Sequence, residues 1–170
     1  MAEHAFYLVP SDPFYLPDDE RNAEFFAFFK EVSPLPNANG GYDFEKYDDP
    51  VLVDSGDAFE AVICPGCCAR LEMLGDGEWG EHYDWWQSVM EQPRNSTVKA
   101  PCCGTETRVV DFKFDSPGAF ARFAVGALEP SDSDYWEDED RPYGLLKPET
   151  LARFEEILGC GVVQIWQVRT

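Results

Sequence analysis

Cys64-Pro65-Gly66-Cys67-Cys68, answered by Pro101-Cys102-Cys103-Gly104, decides how the middle of this chain folds. A C-x-x-C turn presents two sulfurs on one side of a tight loop. Two such turns brought together supply the four soft ligands that a tetrahedral Zn²⁺ site takes. The excursion between them must then fold back on itself, so residues 59–110 are expected to form a metal-stapled insertion. Cys64, Cys67 and Cys103 are the first three candidate ligands. The second turn departs from the pattern, because the residue three before Cys103 is Ala100. Cys102 is the first choice for the fourth ligand, with His82 and Cys68 behind it. Four protein ligands leave no open position for water or substrate, so a zinc ion here is expected to be structural.

These cysteine turns resemble the zinc-ribbon family over residues 59–110, and the resemblance implies a Zn²⁺ site and nothing about the rest of the chain. A further likeness reaches beyond the insertion. Pro101-Cys102-Cys103-Gly104, Gly118-Ala119-Phe120-Ala121-Arg122-Phe123 and Ile157-Leu158-Gly159 resemble small acidic bacterial proteins of the toxin-neutralising immunity type. That likeness implies a protein partner and carries no binding residue over to this chain.

Outward from the cysteines, the flanking segments read as an α+β domain. Ala5–Val9 is a strand ended by Pro10. Asp18-Asp19-Glu20 opens a helix with Phe25, Phe26 and Phe29 on one face, Phe28 where that face widens or a partner touches, and Lys30 near its end. Residues 33–50, rich in Pro, Gly, Asn and Asp, read as a long loop. Val51–Val53 and Phe59–Ile63 bracket a hairpin turn that delivers Cys64 and Cys67 at a strand end. Tyr83, Trp86 and Met90 mark a short helix inside the insertion, and Trp79, Trp85 and Trp86 are expected to cover the metal turns. Val110, Phe112 and Phe114 alternate with charged residues as a one-sided strand. Residues 120–128 read as its returning partner, although Phe120, Phe123, Ala124, Ala127 and Leu128 also fit a helical face. Pro148 opens a final helix that Gly159 stops, and 162–168 is the last strand. Cys160 is expected to be a small buried residue. No internal repeat is evident. The expectation is a single α+β domain over 1–170, with a mainly antiparallel sheet, two principal helices and the inserted ribbon-like segment at 59–110.

The 170 residues, 44% hydrophobic, suffice for one sizeable core without disulfide support. The start of the chain lacks a basic, then apolar leader, and no apolar run approaches the length of a membrane span; a cytoplasmic location follows as the expectation. In that reducing compartment the six cysteines are ligands, redox groups or buried thiols rather than a disulfide framework, and Asn95-Ser96-Thr97 is a chance glycosylation triplet. The net charge is −20, divided as −11 over residues 1–60, −3 over 61–108 and −6 over 109–170. A phosphate backbone needs clustered cations, and Arg70, Arg94, Lys99 and Arg108 are too scattered to bind nucleic acid. A basic protein partner suits the field better. The most acidic run carries the candidate partner-binding residues: Tyr135 and Trp136 as apolar anchors, Asp138, Glu139 and Asp140 as steering charges. With only His4 and His82 available, and no nucleophile or metalloprotease motif, the chain is read as non-enzymatic. Thiol redox chemistry at Cys64 and Cys67 is the alternative.

Overall fold

A computed structural model describes residues 2–36, 41–75, 78–131, 133–137 and 144–170. In chain order the elements are β1 (Glu3–Pro10), α1 (Asp19–Val32), β2 (Tyr42–Val53), β3 (Ala61–Ile63), β4 (Arg70–Glu72), β5 (Leu74–Gly75) and β6 (Glu78–Trp79). These are followed by α2 (Tyr83–Met90), β7 (Thr97–Lys99), β8 (Glu106–Arg108), β9 (Lys113–Phe114), β10 (Ala119–Leu128), α3 (Pro148–Leu158) and β11 (Val162–Arg169). The architecture is α+β with antiparallel strand pairing throughout the named sheets. Among the described residues no helix is long and apolar enough to cross a membrane.

The body is a four-stranded sheet in the order β11-β1-β10-β2, with α1 and α3 packed together against it. Both helices have local reasons to form. The Asp18 side chain caps α1 by accepting from the Arg21 amide at 2.8 Å, and Asp19 and Glu20 sit in the first turn where the dipole favours them. Pro148 starts α3, and Gly159 ends it in the left-handed region at φ 83°, its amide donating to the Glu155 carbonyl. The inward faces of α1 and α3 meet the sheet through Phe25, Phe28, Phe29 and Phe154, all buried against Phe6, Leu8 and Phe123. Phe28, off the main stripe, is thus where the face of α1 widens: its ring lies 4.5 Å from that of Phe154.

Several expectations are corrected. Half of the supposed loop at 33–50 is the start of β2: Tyr42 and Phe44 turn inward onto Phe26 while Asp43 and Glu45 face out, an alternation hidden by the Asp-rich composition. The hairpin between 51–53 and 59–63 does not form, because Val53 pairs with Ala119 of β10 and β3 pairs with β4 and β9. Residues 54–118 are therefore an excursion between two neighbouring strands, and 59–110 lies within it. The one-sided strand expected around 110–114 is instead a 3-10 turn over Val109–Asp111 and a two-residue strand. Val110, Phe112 and Phe114 still point into one core, as the alternation required. The 120–128 segment is strand, but its partners are β1 and β2. It is buried on both faces, which explains why its apolar run also fitted a helix.

Trp136 is the main correction on the expected binding surface. It is 5% exposed, its ring lies 4.6 Å from Phe6 and 5.6 Å from Trp166, and its Nε1 donates to the Val32 carbonyl at 3.1 Å. An indole with this much area to bury and a carbonyl within reach is core, not a surface anchor. Tyr135 is half-buried, edge-on to Phe28, with its hydroxyl donating to the Glu31 carboxylate. Asp138, Glu139 and Asp140 lie outside the described residues.

Candidate metal centre

Each cysteine turn closes a short hairpin, β3–β4 for the first and β7–β8 for the second. The two loops are built alike. In the first, the Cys64 amide donates to the Ala69 carbonyl at 3.0 Å and the Cys68 amide to the Cys64 carbonyl at 2.9 Å. In the second, the Ala100 amide donates to the Thr105 carbonyl at 3.0 Å and the Gly104 amide to the Ala100 carbonyl at 2.9 Å. The fifth backbone position is left-handed in both, φ 62° at Cys68 and φ 71° at Gly104. Residues 61–72 thus recur as 97–108, an internal repeat that the sequence alone conceals behind the shared Val62/Val98, Pro65/Pro101 and Cys67/Cys103.

The repeat explains the irregular spacing. Ala100 occupies the place of Cys64, buried as Cys64 is, and Cys102 occupies the place of Gly66. The sulfur missing at position 100 is supplied two residues later. The Sγ atoms of Cys64, Cys67, Cys102 and Cys103 all lie within 4.8 Å of one another, with Cys64–Cys103 at 3.8 Å and Cys67–Cys102 at 3.4 Å. Zn–S bonds of about 2.3 Å in a tetrahedron put the sulfurs about 3.8 Å apart, so the group is within a small contraction of a bound geometry. The donor set, four thiols in two tight turns, fits such an ion. His82 and Cys68, the reserve choices for fourth ligand, stand outside the group.

The surroundings of the sulfurs differ. Cys64 is buried and accepts the Gly66 amide at 3.4 Å, while Cys67, Cys102 and Cys103 are exposed. Desolvation, with hydrogen bonds to Cys67, Cys64 and Cys103 adding to it, pushes the Cys102 thiol up to about 12. Hydrogen bonding to the side chain and backbone of Thr105, whose Oγ1 is 3.1 Å from Sγ, holds Cys103 down to about 6. Cys103 is thus the thiol that ionises more readily, and Cys102 the one whose proton a cation would have to displace.

Trp86 and Phe112 form the buried centre of the insertion with Leu71 and Val89, and Trp85 packs at its edge. Trp79 lies outside that cluster; it is 68% exposed and packs on Tyr83 with ring centroids 4.0 Å apart. Cys160 is half-buried against the body core, away from the four sulfurs. The cations of the insertion are largely committed. Arg70 bridges Glu60, Glu72 and Asp115; Arg108 forks onto Asp111; Arg94 donates to the carbonyls of Pro50, Met90 and Gln92. Comparison with family models, curated proteins and solved structures finds no match to this chain.

Proposed function

We propose that this chain is a non-enzymatic binding protein in which Cys64, Cys67, Cys102 and Cys103 hold a structural Zn²⁺ ion and an acidic surface holds a basic protein partner. The observation that carries the metal is the convergence of four sulfurs within 4.8 Å from two turns of matching construction. Zinc suits it because the ion takes four thiolates without redox chemistry, and four protein ligands leave no position for substrate. The short strands of the insertion gain a cross-link that their small core would lack.

The partner follows from charge. With a net charge of −20 and with Arg70, Arg94 and Arg108 engaged internally, the surface repels phosphate backbones and attracts a cationic protein. A basic toxin is the partner class that the immunity-protein likeness names. Thiol redox at Cys64 and Cys67 is less well supported: Cys64 is buried, and the turn runs into strand β4 instead of a helix whose dipole would activate a thiol.

Metal analysis of protein purified without chelator tests the site, with about one zinc per chain expected. Cobalt substitution should give the strong thiolate charge-transfer and tetrahedral ligand-field bands of an S₄ site. Metal-free protein with six freely titrating thiols would refute it. For the partner, binding should weaken steeply between low and physiological salt, and a captured partner of acidic charge would refute the electrostatic reading.

A further inference from the structure

We infer that Cys67 and Cys102 form an oxidation site within the metal centre, at which a peroxide-class oxidant makes a disulfide and expels the metal while the two turns stay joined. The inference rests on the zinc reading above and adds its regulation. Cys67, Cys102 and Cys103 are the exposed cluster sulfurs, and of these Cys67 and Cys102 stand 3.4 Å apart on different turns. Cys64, the partner of the other close pair, is shut off from solvent by complete burial. Pairing within Cys102–Cys103 or Cys67–Cys68 is opposed by geometry, because neighbouring Cα atoms across a trans peptide are about 3.8 Å apart, shorter than disulfides span. The close pair of exposed sulfurs therefore belongs to opposite hairpins.

The chemistry balances. One thiolate of the pair attacks a peroxide oxygen, which breaks the O–O bond, leaves a sulfenic acid and releases hydroxide. The second thiolate attacks that sulfur, the S–S bond forms and a second hydroxide departs. Two protons from solvent convert both hydroxides to water. Two electrons pass from the sulfurs to the peroxide, and the ion, left with only Cys64 and Cys103, dissociates as Zn²⁺. A dithiol reductant returns two electrons and restores the thiolates of Cys67 and Cys102, which completes the set of four again. The new bond ties β3–β4 to β7–β8, as the ion did.

The test uses the whole chain as purified. Zinc content is measured first; hydrogen peroxide is then titrated in with a chromogenic chelator present, and the products are cut with trypsin. Cleavage after Arg70 and Lys99 puts Cys64, Cys67 and Cys68 in one peptide and Cys102 and Cys103 in another, so only a bond between turns joins the two. About one zinc released per disulfide, a joined peptide that fragments to Cys67–Cys102, and recovery with dithiothreitol and zinc are expected. Cys68→Ser, which removes the exposed thiol outside the cluster, should behave as the parent does. Zinc that stays bound while Cys68 alone is oxidised, or a disulfide confined to one turn, overturns the inference and leaves the zinc reading intact. Absence of zinc before any oxidant overturns both.

Discussion

Replacing Trp136 with alanine separates its place in the core from the surface role that the acidic run had implied. The indole is 5% exposed and packed between Phe6 and Trp166, so truncation removes a full aromatic contact from a site that has little freedom to collapse. Large aromatic-to-alanine changes of this kind cost about 3–5 kcal/mol. The lost hydrogen bond adds little. Its acceptor, the Val32 carbonyl, also receives the Ser133 hydroxyl at 2.7 Å, so the buried oxygen keeps a donor after truncation. Trp136→Phe should consequently retain most of the stability and cost about 1 kcal/mol for the neutral hydrogen bond to Val32 and some packing. For a domain of this size each kcal/mol moves the melting point by about 2–4 °C, giving a fall of roughly 6–20 °C for Trp136→Ala. Urea titration followed by near-ultraviolet circular dichroism, with zinc content held constant, measures the difference directly. A midpoint within error of the parent, or equal losses for Phe and Ala, would refute the core placement.

The equivalence of the two turns predicts that Ala100→Cys combined with Cys102→Gly keeps about one zinc per chain, whereas Cys102→Ser alone weakens binding at least roughly tenfold; metal competition distinguishes them. Gly104→Ala, which forces a side chain into φ 71°, should destabilise the insertion by about 1–2 kcal/mol. The converse change Cys68→Gly should relieve strain at φ 62° and raise the insertion's melting point slightly, read by thermal scans of the zinc form. Zinc retention against a fixed chelator activity should fall as pH drops from 8 to 5, because protons compete with the metal for the thiolates, above all at Cys102, whose thiol is pushed up to about 12 by desolvation; retention independent of pH over that range would contradict a cysteine site.

What the sequence determined by itself was local. The Asp18 cap, Pro148 and Gly159 act within a turn of the helices they bound, so α1 and α3 were legible to within a residue or two. Cys64-Pro65-Gly66-Cys67 was legible as a tight cysteine turn for the same reason, its geometry being set by four adjacent residues. Cys102 already ranked ahead of His82 and Cys68 on sequence, but the reason for its place needed the tertiary structure, because only the matching backbone hydrogen bonds of the two turns show that the sulfur lost at Ala100 returns from the position of Gly66. The start of β2 was hidden because an edge strand shows polar residues at every other position, and whether Tyr42 and Phe44 lie on a helix or in solvent is decided by α1. The fate of Trp136 was decided in the same way: beside six carboxylates in sequence it looks exposed, but Phe6 and Trp166, contributed by the first and last strands, leave a space that only a large ring fills.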